Sequence, residues 1–238
     1  MRIEVDTHTH TVISGHAHST LLENARFAKE AGLKGIVVTE HGPRLAGGPP
    51  EFNIGTYQTI PKFIEGVRIY RGVEANIIDF EGNVDISERF LTKLDFALAS
   101  LHDVVIDPGS LEENTRALLG VLENPHVDAI GHPGNPYYPI HYEAVIGEAK
   151  RLNKILEINN HSFIYREGSR VNCVHILELC KKSGVRVAVS SDAHICFTVG
   201  GFERALAEIR KTHFPEELIV NRTAQSFEAY LEERKARF

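Results

Sequence analysis

The stretch DTHTHTVISGHAHST, residues 6–20, places His8, His10, His16 and His18 within eleven positions. An H-x-H pair at the end of a β-strand is a chelate. Side chains two apart on a strand point the same way, so His8 and His10 project together and can grip one metal ion. Metal-competent residues then recur about every 30 residues, the spacing of successive strand ends in a βα repeat. They are His41 in TEHG, Glu74 in GVEAN, His102 in SLHD, His132 in IGHPGNP, and Asp192 with His194 in SSDAH, after a double interval. His16, in the loop after the first strand, completes a set of nine. Zinc takes about four ligands, and catalytic sites leave one place open. With Glu74 bridging two ions, nine residues divide over three ions as four, three and three contacts. Imidazole suits Zn, Fe, Ni or Cu, and the oxygen donors admit Mn. His18 is expected beside the set or on the surface, and so is His161. His126, His141, His175 and His213 are expected to be solvated.

The elements that must carry these residues are legible as alternation. Strand-like runs fall at 2–8, 35–40, 67–73, 95–101, 127–131, 154–159 and 185–191. Amphipathic helical stretches separate most of them. Ser110 with Glu113 forms a capping box, and other helices start near Ser19 or Thr20, at Ser169 and at Thr223. The Gly/Pro-rich segments 42–62 and 133–140 read as loops. Seven βα units predict a single-domain α/β fold over residues 1–238, a (βα)7 barrel with its chemistry at the C-terminal strand ends. An open doubly wound sheet is the alternative.

Composition fits a globular enzyme: 238 residues, 42% hydrophobic, 24% charged, net charge −6. That balance argues against a broad basic face for nucleic acid. No apolar run is long enough to span a bilayer or act as a signal peptide, so the expected location is cytoplasmic. Three cysteines, Cys173, Cys180 and Cys196, imply no disulfide framework.

The motifs DTHTHT…H, TEHG, GVEANI, SLHD, GHPGNP, EINN and SDAH together resemble the PHP (polymerase and histidinol phosphatase) superfamily, most closely its bacterial YcdX-type phosphatases. The resemblance runs over nearly the whole chain. It implies a distorted (βα)7 TIM-like barrel with a trinuclear site, most readily of zinc, with Mn or Fe as alternatives. It implies a first ion on His8, His10, Glu74 and Asp192, a second on His16, His41 and His194, and a third on Glu74, His102 and His132. It also implies a homotrimer. In one departure, Glu40 stands where the family has Asp. In another, His18 replaces a tyrosine and offers an extra contact.

Three divalent ions would bring about +6 against −2 from the two carboxylates, a pocket suited to an oxygen-rich anion such as phosphate. The expected reaction is hydrolysis of a small-molecule phosphate monoester by hydroxide bridging two ions, with Asp192, Glu74 and His194 as catalytic residues. Arg166, Asn159 and Asn135 are the expected substrate contacts. A phosphodiesterase or nuclease would use the same ions. A metal-dependent amidohydrolase also begins with H-x-H, but commonly bridges its ions with a strand 4 lysine, where this chain has His102. A non-catalytic metal-stabilised barrel is the third class.

Overall fold

The computed structural model describes residues 1–237. Seven parallel strands run in the order β1 (Val5–Thr9), β2 (Gly35–Val38), β4 (Val67–Asn76), β5 (Phe96–Ser100), β6 (Ala129–Ile130), β7 (Ile155–Asn159) and β8 (Val187–Ser190). A two-residue strand, β3 (Phe63–Ile64), pairs antiparallel with β4. The barrel is nearly closed, and the segment after the last long crossover finishes it. The backbone around Ile219–Arg222 lies between β8 and β1: Val220 N–H donates to Val187 O, and Val5 N–H to Asn221 O. The Asn221 side chain, fully buried, donates to both Val5 O and Val189 O and accepts from Val189 N–H.

Full-length helices follow five of the strands: α1 (Leu21–Glu30), α4 (Leu111–Glu123), α5 (Tyr142–Arg151), α7 (Ser169–Ser183) and the pair α8 (Glu203–Lys211) and α9 (Ala224–Lys235). Capping boxes start three of them, at Thr20, Ser110 and Thr223. The crossovers after β2 and β4 carry only single turns of helix, α2 (Phe52–Gly55) and α3 (Glu88–Leu91), and one more turn, α6 (Ser162–Tyr165), precedes α7. Residues 42–62, expected as loop, thus hold α2 and a further helical turn at Tyr57–Thr59. The three cysteines are free and buried. Among the described residues no helix is long and apolar enough to cross a membrane.

The barrel interior is layered. Its lower half is apolar: Val5, Val37, Tyr70, Phe96, Leu98, Ala129, Ile155 and Ala188 pack against Phe227 and Tyr230 of α9, which plugs the bottom. Strict alternation from Val5 would then turn Thr7 and Thr9 inward. A bulge prevents this: Asp6 pairs with Ile36 but Thr9 with Val38, so β1 carries one extra residue there. Thr9 consequently shares the outward side of Val38, and His8 and His10 face the barrel axis. Asp6 is left pointing outward, accepting from Ser191 and Gly200 N–H groups.

Candidate metal centre

All nine expected ligands converge at the C-terminal mouth. His8 and His10 lie at the floor, fully buried. Above them a cleft of about 320 Å³ is lined by His16, His41, Glu74, His102, His132, Asp192 and His194, with Arg166 and Asp103 at its side.

Around the floor, four residues bring their donor atoms close together. His8 Nε2 is 2.9 Å from His10 Nε2 and 3.2 Å from Glu74 Oε2, and His10 Nε2 is 3.4 Å from the same oxygen. Asp192 Oδ1 lies 3.5 and 3.4 Å from the two nitrogens. Donors about 2.0–2.1 Å from a tetrahedral zinc stand about 3.3 Å from one another. The other oxygen of Glu74 turns away, 3.0 Å from His132 Nε2 and 3.3 Å from His102 Nε2. Glu74 therefore presents one oxygen to each of two donor groups. A third group forms where His16 Nε2 meets His194 Nε2 at 2.9 Å, with the His41 ring stacked 4.9 Å from that of His16. His10 also approaches His41 and His194, so neighbouring groups share walls.

Hydrogen bonds at Nδ1 fix which ring nitrogen faces inward. His16 Nδ1 donates to Ser14 O and His194 Nδ1 to Asp192 O. Carbonyls only accept, so both neutral rings carry lone pairs on Nε2, and those lone pairs face each other. On the floor the Nε2 atoms of His8 and His10 also face each other, and there a proton held on His8 by the surrounding carboxylates can lie between them in place of a metal ion. His8 Nδ1 donates to the Glu157 carboxylate, and His10 Nδ1 to Ser14 Oγ, whose own proton goes to Glu40. His102 Nδ1 donates to Asn76 Oδ1. Opposed lone pairs repel unless a cation lies between them, and the His16–His194 pair presents that arrangement at the open mouth of the cleft. His41 makes the same demand: both its nitrogens are buried without a hydrogen bond, although Nδ1 lies 2.9 Å from the unsatisfied, misaligned Glu74 Oε2.

The electrostatics agree. Burial alone would raise Glu74 and Asp192, but the surrounding imidazoles, His8 foremost, hold both well below the ordinary carboxylate range. Burial, then the neighbouring His41, presses His10 well below its usual value, and burial with Arg166 pushes His132 down to about 4. His8 goes the other way: burial opposes its charge, but Glu74, Glu157 and Asp192 together lift it well above the usual value. Two of the expected ligands also sit in the left-handed backbone region, His132 at φ 29° and Asp192 at φ 55°. Such conformations cost about 1–3 kcal/mol each and persist where surrounding structure holds them.

Among the other expected residues, Arg166 lines the cleft, its Nη2 3.6 Å from Asp192 Oδ2. Asn135 lies outside the cleft, in an adjoining depression with Tyr137 and Glu167. Asn159 is buried beneath the expected ligands; its amide donates to Glu157 and Asp192 and accepts from Ser162 N–H. The His18 side chain is exposed, and the His161 ring lies tilted against Tyr165, 5.8 Å from the ring of His194. His141, His175 and His213 are exposed as expected, but His126 is buried near the barrel bottom. Glu157, which the strand-end repeat does not mark, also touches the cluster through His8. Its signal is a carboxylate in the middle of β7, between apolar residues of a strand buried on both faces.

The model of the PHP domain family matches residues 6–163, and the chain belongs to that family. β8, with Asp192 and His194 just beyond it, lies after the matched part. A protein of Acetivibrio thermocellus named "Probable phosphatase" is 47% identical over all of this chain and 98% of its own length. A likewise named protein of Caldanaerobacter subterraneus is 50% identical, covering 100% of this chain and 94% of its own. Within the family the chain therefore stands with the phosphatases. The fold is shared with a histidinol phosphate phosphatase of Lactococcus lactis, solved with zinc, L-histidinol and phosphate: TM-score 0.64, 19% identity, covering 90% of this chain and 95% of that one.

Proposed function

We propose that the protein is a metal-dependent phosphatase hydrolysing a small-molecule phosphate monoester at a site for three divalent ions, most readily zinc. The observation that carries this reading is the facing pair His16 Nε2 and His194 Nε2, 2.9 Å apart with both lone pairs turned inward, in the same mouth where His8 and His10 Nε2 meet Glu74 and Asp192. His8, His10, Glu74 and Asp192 would hold the first ion, His16, His41 and His194 the second, and Glu74, His102 and His132 the third. Bound divalent ions supply Lewis-acid charge for a phosphate and lower the pKa of water towards about 7.

The chain's own groups do the rest. Arg166 reaches the cleft with guanidinium N–H donors that match phosphate oxygens. Asp192 is held ionised, so it serves as ligand and as acceptor for the attacking water. Glu157 and Glu40 are further buried carboxylates behind the site; even four carboxylates against three divalent ions leave the pocket positive, which favours an anion. A cleft of about 320 Å³ suits a small ester better than a polymer.

The test is turnover of p-nitrophenyl phosphate, abolished by chelator and restored by Zn, Mn or Fe. Preference for bis(p-nitrophenyl) phosphate would transfer the reading to a diesterase. Metal-loaded protein that turns over neither ester overturns it.

A further inference from the structure

Glu157 sits at the centre of β7, fully buried, between the apolar plug and the metal-competent floor. Four donors converge on its two oxygens. Oε1 accepts from His8 Nδ1 at 2.6 Å and from Ser190 Oγ at 2.5 Å. Oε2 accepts from the His132 backbone N–H at 2.5 Å and from Asn159 Nδ2 at 3.1 Å. One carboxylate thus fixes the ring of a first-ion ligand and the left-handed main chain of a third-ion ligand. The second group, His16, His41 and His194, has its supports elsewhere: His16 Nδ1 bonds to Ser14 O and His194 Nδ1 to Asp192 O.

We infer that Glu157 is a positioning residue that couples occupancy of the first and third ion positions and makes no direct contact with the ligands of the second. This rests on the three-ion reading above. The chemistry is a matter of acceptor count. A carboxylate offers acceptors at both oxygens, so it serves His8 and His132 at once. A glutamine offers one acceptor oxygen and an amide that would oppose either the His8 or the His132 N–H. Glu157→Gln therefore keeps size and packing but releases one of the two ligands. An ion in either position fixes its own ligand, and through Glu157 it restrains the other.

The test is equilibrium Zn2+ titration against a competing chelator, with metal content by elemental analysis, on full-length wild type, E157Q and S190A. Wild type is expected to hold three ions. In E157Q the position whose ligand is released should weaken by about 10–100-fold, the range for loss of a partner that orients a metal ligand, the other position of the pair should weaken by a smaller factor as it loses the coupling, and the remaining one should bind as in wild type. S190A removes a neighbouring donor on Oε1 and should weaken the same two positions by a smaller factor. Wild-type affinity for all three ions in E157Q overturns the coupling. So does equal weakening of all three in both variants, since that signals only general destabilisation. Three-ion wild type without phosphatase turnover would overturn the phosphatase reading and leave the coupling standing.

Discussion

Arg166 Nη2 stands 3.6 Å from Asp192 Oδ2, and Arg166 Nη1 donates to Ser162 Oγ at 2.9 Å. Two anchors thus aim a partly exposed guanidinium across the ligand cluster. Arg166 is the only Arg or Lys lining the cleft among the described residues. If it clamps phosphate, Arg166→Ala removes charge-assisted hydrogen bonds worth about 1.5–3 kcal/mol, or about 10–100-fold in kcat/KM. Most of the loss should appear in KM, with metal content unchanged. Arg166→Lys should recover only part of it, because an ammonium lacks the planar fork. Steady-state kinetics of the two variants on p-nitrophenyl phosphate decide it; an unchanged KM in both would remove Arg166 from the substrate site.

His132 makes the metal-free protein sensitive to acid. Its folded value is pushed down to about 4, by burial and then Arg166, against 6.5 for a free imidazole. Between those values the unfolded chain binds a proton that the folded chain refuses, so stability rises with pH across that window. Fully developed above about pH 6.5, the contribution is on the order of 3 kcal/mol, and it is lost as pH falls towards 4. His8 works in the opposite sense: its raised folded value gives stability that is complete below 6.5 and lost as pH rises through that value. Thermal melts of chelator-treated protein from pH 4 to 6.5 should show a steep slope that His132→Gln flattens. Parallel slopes for the two proteins would contradict the assignment.

How the mouth is built explains what the sequence could reveal about it. Strand ends repeat about every 30 residues in a βα barrel, so a histidine or acid at each repeat is visible without coordinates. The direction of His8 and His10 was also visible, but its cause was not. The bulge between Asp6 and Thr9 depends on register with β2, which parity along one strand cannot show. Glu157 escapes the repeat because it stands two residues before the end of β7, at Asn159, while the repeat marks strand ends. The crossovers after β2 and β4 lack long helices because α2, β3 and α3 occupy them in short pieces, and short pieces have no helical period to read. Asn221 was invisible for a different reason: nothing local marks a side chain that substitutes for a strand.

That substitution has a measurable cost. Asn221 makes three hydrogen bonds to the facing edges of β1 and β8, the strands that lead into His8, His10, Asp192 and His194. At about 1 kcal/mol net for each bond, Asn221→Ala should destabilise by about 3 kcal/mol. For a domain of this size that lowers Tm by roughly 6–12 °C. Asn221→Asp should be worse, since its carboxylate would face the Val5 and Val189 carbonyls with no proton to give. Calorimetry of both variants checks the order; an Ala variant as stable as wild type would mean that the backbone bonds of Val5 and Val220 suffice to close the barrel.

The relay beneath His10 gives the last prediction. Glu40 accepts from Ser14 Oγ at 2.5 Å and from Thr11 Oγ1 at 2.6 Å, so the Ser14 proton is committed and its oxygen is left to accept from His10 Nδ1. Ser14 Oγ also accepts from His41 N–H. One hydroxyl therefore sets the tautomer of His10 and tethers the backbone of His41. In Ser14→Ala, His10 is free to place its proton on either nitrogen, and the Nε2 tautomer cannot bind a cation. Zinc affinity at the position shared by His8 and His10 should fall by about 10–100-fold, with the fold intact because Thr11 still satisfies Glu40. Glu40→Gln should do less, since its amide oxygen can still accept from Ser14. Zinc titration of both variants, with far-UV circular dichroism as the check on folding, separates the outcomes. Wild-type zinc affinity in Ser14→Ala would show that the His8–Glu157 side alone orients the floor.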